Sequence, residues 1–310
     1  MKIAVFGAGG IGGYLGARLA QAGDEVALIA RGPHLVAIQE HGLFVESPTG
    51  DFHMTPSIAT DRPEDVGVVD TVLLGVKAWD VCAAAEAIRP MVGSNTGVLT
   101  LQNGVEAPTE VAAVFGEEHV IVGVPTIRSL IAEPGRLRHV VSVDPNLTMG
   151  EIDNRSSERV EHIRAVLEKV NVTVNVSNNI HAWLWGKFVG AAAVGGVGAV
   201  VHVPIGTWRQ IPQVRDMFER VAQEAATVAR ARGVRPPEGI IDRLKRDIDT
   251  FPPAFMMSMH EDIVGGRPSE LEYFNGAVVR LGHEAGISTP LNEFIYYSLL
   301  PQEMKARGQV

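Results

Sequence analysis

Three glycines near the start of the chain have the spacing of a pyrophosphate-binding turn. The apolar run Lys2 to Phe6 leads into a G-x-G-x-x-G motif that consists of Gly7, Ala8, Gly9, Gly10, Ile11 and Gly12. Such a motif allows a tight turn, a close approach of backbone N–H groups to phosphate oxygens, and close packing of the next helix on the strand. With a helix after the turn and a second strand from Glu25 to Ile29, the pattern predicts a dinucleotide-binding βαβ unit. The alternative is a tight turn that binds nothing.

The end of the second strand indicates which dinucleotide is bound. Proteins that prefer NAD usually carry Asp or Glu about 20 residues after the glycines, where the carboxylate binds the ribose 2′-hydroxyl. Here the strand ends in Ala30-Arg31-Gly32. A planar, permanently charged guanidinium suits the 2′-phosphate of NADP. We therefore expect NADPH as the cofactor, the alternative being that Arg31 is a solvated surface charge.

Lys187 is the first candidate for a catalytic group. It lies within the apolar stretch Ile180 to Val201, which carries no other charge apart from histidine. A lone ammonium in such surroundings is costly unless it is paired or functional. Beside a nicotinamide it could donate a proton to the alkoxide that forms when a carbonyl is reduced. The alternative is a lysine that extends along the helix to the surface.

Glu270, Lys77 and Asn103 are three further candidates for a binding site. Glu270 follows Ser269, which we expect to open a helix, so that Glu270 lies in its first turn; the alternative is that this glutamate only compensates the helix dipole. Lys77 and Asn103 each follow a predicted parallel strand. Ligands of parallel sheets bind at the carboxyl ends of the strands.

The elements that position these residues alternate as in a parallel, doubly wound α/β sheet. The predicted strands and helices after the first βαβ unit are a helix from Pro33 to Glu40, a hairpin of Leu43 to Glu46 and Phe52 to Thr55, strands Thr71 to Val76 and Val98 to Leu101, and helices Ala78 to Ile88 and Ala107 to Phe115. From residue 120 to 143 the pattern is rich in strands, which we expect to add antiparallel strands at one edge of the sheet. Strands at Leu147 to Gly150 and Val172 to Val176, with a helix from Arg155 to Lys169, complete this part.

Long helical periods replace strands after Ser177. We predict a Rossmann-type NADP-binding domain over residues 1–177 and an all-α catalytic domain over residues 178–310. The helices expected there are Ile180 to Val201, Pro212 to Arg232, Gly239 to Asp249, Ser269 to Ala285 and Leu291 to Ala306. The glycine- and alanine-rich face of the first of them packs either within one subunit or against a second copy.

Composition narrows the class of protein. The 310 residues suffice for about two domains, and a formal charge of −9 argues against nucleic acid as a partner. The single cysteine, Cys82, excludes an internal disulfide, fits a reducing cytoplasm, and is expected in the core. A strand at Lys2 argues against a signal peptide, and the apolar run Phe188 to Val201 is too short and glycine-rich to predict a membrane span. The ten scattered histidines give no metal-binding pattern.

Taken together, the motifs resemble the ketopantoate reductase (2-dehydropantoate 2-reductase) family of the 6-phosphogluconate dehydrogenase-like superfamily. The segments that carry the resemblance are the glycine turn, Arg31, Val76-Lys77-Ala78, Leu101-Gln102-Asn103-Gly104, Trp185-Gly186-Lys187-Phe188, Ser258 and the stretch from Ser269 to Gly276. The resemblance implies a cytoplasmic enzyme of pantothenate biosynthesis that reduces a 2-oxo acid with NADPH.

The same resemblance implies a role for each site residue. Lys187 would polarise the keto oxygen and protonate the alkoxide, and Glu270 would orient the reacting oxygen or the ribose hydroxyls. Ser258 would bind the substrate carboxylate, and Asn103 would lie near nicotinamide and substrate. Arg31 and Lys77 would hold the adenine end of the cofactor.

The chain departs from the family pattern on the face of the helix that carries Lys187. The family typically has asparagines four and eight residues after the lysine, on the same helix face. This chain has Ala191 and Gly195 there, and Phe255 stands where an asparagine is common. A less polar lining predicts a less polar or bulkier 2-oxo acid than ketopantoate. Two alternatives remain: a hydroxy-acid dehydrogenase of the same fold, and an NADP-binding redox sensor without turnover.

Overall fold

The computed structural model describes residues 1–140 and 145–310. The end of the predicted strand-rich stretch, residues 141–143, lies outside these described residues. The chain forms two compact units, of which the first comprises Met1–Gln102 and Glu106–Ile180 and the second comprises Asn103–Val105 and His181–Val310. The short segment Asn103–Val105 therefore belongs with the helical part of the chain, although its sequence neighbours do not.

The first unit is a mixed α/β structure. Its strands, in the part of the chain that the structure describes, are β1 (Lys2–Phe6), β2 (Glu25–Ile29), β3 (Leu43–Glu46), β4 (Phe52–Met54), β5 (Ile58–Thr60), β6 (Thr71–Leu74), β7 (Gly97–Thr100), β8 (Val120–Thr126), β9 (Ser129–Glu133), β10 (Arg136–His139), β11 (Asn146–Glu151) and β12 (Thr173–Val176). Its helices there are α1 (Gly10–Gln21), α2 (Gly32–His41), α3 (Val81–Ala87), α4 (Ala107–Phe115) and α5 (Glu158–Glu168).

Eight of these strands form a sheet of the order β12-β11-β8-β7-β6-β1-β2-β5. From β5 to β8 all neighbours are parallel. That run has the strand order of a doubly wound dinucleotide fold, in which the order reverses between β1 and β6 and ligands bind at the carboxyl ends beside the reversal. The predicted Rossmann-type α/β class is therefore confirmed, and the glycine turn after β1 lies at the reversal.

The edge prediction is wrong for part of the strand-rich stretch. Among the described residues, β11 alone joins the main sheet antiparallel, next to β8. Strands β9 and β10 instead form a second, four-stranded sheet with the β3–β4 hairpin, in the order β4-β3-β10-β9. Helix α1 has glycines on two faces, which lets both sheets approach its backbone: Gly16 faces Val5 of β1, and Gly13 faces Leu137 of β10.

The second unit is helical. Its helices, among the described residues, are α6 (Ile180–Val201), α7 (Ile205–Trp208), α8 (Pro212–Ala231), α9 (Ile240–Thr250), α10 (Ser258–Val264), α11 (Asn275–Glu284) and α12 (Pro290–Ala306). The short helices α7 and α10 were not predicted from the sequence.

The predicted helix from Ser269 to Ala285 is wrong at its start. Residues Leu271–Tyr273 form a single 3₁₀ turn, Phe274 leaves helical geometry with φ −114° and ψ −95°, and α11 begins only at Asn275. Ser269 and Glu270 therefore precede the helix, and Glu270 does not lie in its first turn. The cause is tertiary, since Ser269 and Asn275 are both completely buried and hydrogen-bonded to other helices.

Helix α6 is largely buried. By length and composition its 22 residues suffice to cross a membrane, but 83% of the apolar window is buried inside the protein. The glycines of α6 are covered by the same chain: Gly190 by Leu244, Gly195 by Met259, Gly196 by Asn275 and Gly198 by His260. The structure thus accounts for the small-residue face by packing within one subunit.

The exposure of Cys82 differs from the prediction. It was expected in the core, yet it is exposed on α3. The predicted helix from Ala78 to Ile88 begins as a 3₁₀ turn over Ala78–Asp80, and the α-helical part is only seven residues long.

Candidate active site

The glycine turn of the first unit is tied to the end of β2. Gly7 has φ +94°, which a residue with a side chain rarely adopts, and the N–H groups of Gly7 and Ala8 both donate to the Ile29 carbonyl oxygen, at 3.1 and 3.2 Å. A Cβ on Gly12 would lie 2.5 Å from the Gly7 carbonyl oxygen. The turn therefore requires glycine at both positions for its own geometry.

The start of α1 provides the donors for an anion. Gly9 is the N-cap residue and provides no side-chain hydrogen bond, so the first N–H groups of α1 lack an acceptor within the helix. A Cβ on Gly9 would meet nothing within 4 Å, whereas one on Gly10 would lie 2.0 Å from the Ser129 carbonyl oxygen. Gly9 thus leaves open space above the donors, and Gly10 is required by packing on β9. Ile11 is partly buried in the first turn.

Arg31 and Lys77 lie in the same region of the first unit. The Arg31 side chain is 85% exposed, and its Nη2 lies 3.9 Å from Oδ2 of Asp80. Lys77 is also exposed, and its Nζ lies 5.6 Å from the centre of the Trp79 ring. Two exposed cations with one partly exposed carboxylate nearby can hold a phosphate at the adenine end of a dinucleotide.

The second unit brings together Lys187, Glu270 and Asn103. Glu270 is only 4% exposed, and its Oε2 accepts a hydrogen bond of 2.8 Å from Nδ2 of Asn103. Burial lowers the pKa of Lys187 to about 8 from the usual 10.5, while the negative charge of Glu270 acts in the opposite direction. An ammonium with this pKa is protonated at neutral pH and gives up its proton readily, which suits a general acid.

The face of α6 that continues from Lys187 is apolar. Ala191 is 6% exposed. A Cβ on Gly195 would lie 3.2 Å from Cε of Met259 and 3.7 Å from Cβ of Met257. Methionine side chains therefore fill the space where a larger polar side chain would extend from this helix face.

The structure places Ser258 at the start of α10, where it is exposed. Sequence reasoning missed the role of Gln102, whose Nε2 donates to the carbonyl oxygens of Leu74 and Val76 at 2.7 and 3.1 Å. This amide joins the ends of β6 and β7 just before Asn103. Its position in Leu-Gln-Asn-Gly was the available signal.

Comparison with known proteins identifies the family. A family model described as ketopantoate reductase PanE/ApbA matches residues 3–154, and the model of its C-terminal part matches residues 179–303. A 2-dehydropantoate 2-reductase of Mesorhizobium japonicum is 32% identical over 94% of this chain and 94% of its own length. The chain belongs to the ketopantoate reductase family. It is thus an oxidoreductase that acts on a CH–OH/C=O group.

Solved structures agree with this assignment. The ketopantoate reductase family member from Ralstonia eutropha JMP134 has a TM-score of 0.90 and 31% identity, covering 99% of this chain and 100% of that chain. D-mandelate dehydrogenase, solved with NADH and anilino(oxo)acetate, has a TM-score of 0.89 at 23% identity, covering 99% of both chains. The second likeness is one of fold alone.

Proposed function

We propose that this ketopantoate reductase family member reduces a 2-oxo acid to a 2-hydroxy acid with NADPH, and that its substrate has a less polar tail than ketopantoate. The observation that carries the proposal is the partly buried Lys187 ammonium beside Glu270, on a helix face that continues through Ala191 and Gly195. Lys187 and Glu270 support the chemistry, and Ala191 and Gly195 support the choice of substrate.

The residues of the first unit fit the cofactor. The uncapped start of α1 and the open space at Gly9 suit a pyrophosphate, and the exposed Arg31 and Lys77 suit a 2′-phosphate. In the second unit, Asn103 and Glu270 are the residues we assign to the nicotinamide end. When bound, the reduced nicotinamide supplies the hydride that adds to the keto carbon.

The chain itself handles the proton. The Lys187 ammonium donates a hydrogen bond to the keto oxygen and then transfers its proton as negative charge develops there. Glu270 keeps the amine protonated, because its negative charge raises the pKa of Lys187 against the effect of burial. The amine left neutral after the transfer is recharged from solvent. Ser258 is the residue we assign to the substrate carboxylate.

The apolar face of α6 supports the choice of substrate. Asparagines at positions 191 and 195 would present amides on the face of Lys187, and this chain presents a methyl group and the Met259 side chain instead. Without those amides a hydroxylated tail loses its hydrogen-bond partners, and discrimination shifts to size and apolar contact.

A substrate panel tests the proposal. Ketopantoate and a series of aliphatic and aryl 2-oxo acids are compared by the loss of nicotinamide absorbance, once with NADPH and once with NADH. We expect the highest kcat/KM for an apolar 2-oxo acid with NADPH. Much faster turnover of ketopantoate would refute the substrate class, and faster reaction with NADH would refute the cofactor preference. Oxidation of the 2-hydroxy acid with NADP⁺, assayed alongside, measures the reverse direction.

The surroundings of α6 also support a soluble enzyme. Because most of its apolar surface is buried within the protein, we propose that α6 is a core helix rather than a membrane anchor. A reducing cytoplasm is the compartment we propose, in keeping with a single cysteine. The possible homodimer stays a prediction, which size-exclusion chromatography with light scattering would test.

A further inference from the structure

The backbone just before Glu270 is held by a buried carboxylate. Ser269 is completely buried, and its N–H donates to both carboxylate oxygens of Glu303, each at 3.0 Å. The Ser269 hydroxyl donates to Oε2 of Glu303 at 2.5 Å and accepts from the N–H of Leu271 at 3.2 Å. Glu303, near the end of α12, is only 6% exposed.

Arg307 makes hydrogen bonds to both Glu303 and Ser269. Its Nε donates to Oε1 of Glu303 at 2.6 Å, and its Nη2 donates to the Ser269 carbonyl oxygen at 2.8 Å. The Glu303–Arg307 pair therefore binds both the N–H and the C=O of the residue that immediately precedes Glu270. Three charge-assisted hydrogen bonds to the backbone of one buried residue restrain the peptide groups on both sides of it.

The far end of the segment is anchored independently. Nδ2 of Asn275 donates to Oδ1 of Asn292 at 2.9 Å and to the carbonyl oxygen of Ala192 at 3.3 Å. The second of these acceptors lies on α6, the helix that carries Lys187. The irregular backbone from Ser269 to Asn275 is thus fixed at one end by the last turn of α12 and at the other by α6 and α12.

A buried ion pair is a weak source of stability, because the cost of desolvating both charges offsets their attraction. Its definite effect here is geometric. We propose that Glu303 and Arg307 are positioning residues, which fix Ser269 and so hold the Glu270 carboxylate beside the Lys187 ammonium. The proposal rests on the proposed function for the role of Lys187 in catalysis.

The main test replaces Glu303 by its near-isosteric amide. In Glu303→Gln the side-chain NH₂ group is itself a donor and faces a donor of Ser269 or Arg307. Hydrogen bonds that hold Ser269 are therefore lost with little change in side-chain volume. We expect kcat/KM to fall by about 10-fold or more, towards the ~100-fold that a misplacement of about 1 Å can cost. Glu284→Gln is the matched control, because Glu284 forms an exposed ion pair with Arg232 in the same unit. We expect no change there.

A second measurement reports on the position of Glu270 relative to Lys187 and does not depend on turnover. The reactivity of the Lys187 amine towards acetic anhydride is measured against pH by peptide mass spectrometry in the full-length protein. If Glu303→Gln releases Glu270, Lys187 loses a charge that raises its pKa, and its labelling curve moves to lower pH. A simple loss of stability would not move this curve in the folded protein. An unchanged or raised pKa together with wild-type kcat/KM would overturn the proposal.

Arg307→Met keeps the proposal testable if Glu303→Gln fails to fold. Arg307 is partly exposed, with 26% of its side chain accessible, so its replacement leaves a smaller defect. We expect the same direction of change in both readouts, with Arg307→Lys restoring part of the activity; wild-type behaviour in both readouts would count against the proposal. If the wild-type protein reduced no 2-oxo acid while the labelling curve of Lys187 still shifted in the variants, the proposed function would fail and the positioning role would stand.

Discussion

The glycine turn and the Lys187 cluster, which consists of Lys187, Glu270 and Asn103, are built by the chain in different ways. The turn presents backbone groups of consecutive residues, and it requires only that side chains are absent there. The cluster needs three side chains, and the hydrogen bond from Asn103 to Glu270 joins residues 167 positions apart in the sequence. One site is local and the other is assembled by tertiary structure.

This difference predicts which kind of substitution damages each site. A local turn is damaged by adding atoms to it, because its glycines are required by close approach. An assembled cluster is damaged by removing a charge, because each side chain sets the electrostatics of the others. The variants below test that division.

Replacement of Lys187 by alanine gives the largest expected loss. A positioned acid contributes about 10²- to 10⁴-fold to a proton-transfer step, so we expect kcat to fall within that range. The glycine turn is unchanged in this variant, so the affinity for NADPH, measured by fluorescence titration, should stay near the wild-type value. Lys245→Ala, which removes a partly exposed lysine paired with Glu219, is the control and should be neutral. Wild-type kcat in Lys187→Ala would remove the basis of the catalytic assignment.

The adjacent glycines of the turn should separate folding from binding. A Cβ on Gly10 meets the Ser129 backbone at 2.0 Å, so Gly10→Ala should lower the free energy of unfolding by about 1–3 kcal/mol, as overpacking does. Gly9→Ala has open space and should unfold at the wild-type temperature, but its methyl group lies where the phosphates are expected. Thermal unfolding and NADPH titration distinguish the two. Equal melting temperatures for both variants would contradict the packing role of Gly10.

The pH dependence of reduction should follow the ammonium of Lys187. Because burial lowers its pKa to about 8, the acid is present below that pH and is lost above it. We expect kcat/KM to be level near neutral pH and to fall about tenfold per unit above pH 8. Glu270→Gln should move this limb to lower pH, since it removes the charge that opposes the effect of burial. A limb that stays in place in Glu270→Gln would show that the two groups are not coupled.

Elements with strong local signals were predicted well from the sequence. Strand β2, helix α4 and helix α6 begin and end at the predicted residues, and the glycine turn lies between β1 and α1 as expected. In these segments the period of apolar residues and the flanking Gly or Pro agree with the tertiary structure. The glycine turn belongs to this class, because its geometry is encoded by consecutive residues.

The parts that failed depend on partners distant in the sequence. The helix expected from Ser269 is replaced by an irregular segment, because Glu303 and Asn292 of α12 offer Ser269 and Asn275 buried hydrogen bonds. The pairing of β10 with β3 joins segments that no local pattern connects. Glu303 and Arg307 have the i, i+4 spacing of an ordinary surface pair, and this spacing does not indicate that Glu303 is buried.

The smallest expected effect concerns Arg31, where local reasoning is least constrained by structure. Its side chain is 85% exposed, so Arg31→Ala should leave stability within about 0.5 kcal/mol while raising KM for NADPH, but not for NADH, by about tenfold. Asp80→Asn sharpens the test, because it removes the carboxylate paired with Arg31, and that carboxylate makes no helix-cap hydrogen bond. That variant should bind NADPH more tightly and NADH unchanged. If instead KM changed equally for both cofactors in Arg31→Ala, the guanidinium would not distinguish the 2′-phosphate, and Arg31 would be the solvated surface charge of the alternative interpretation.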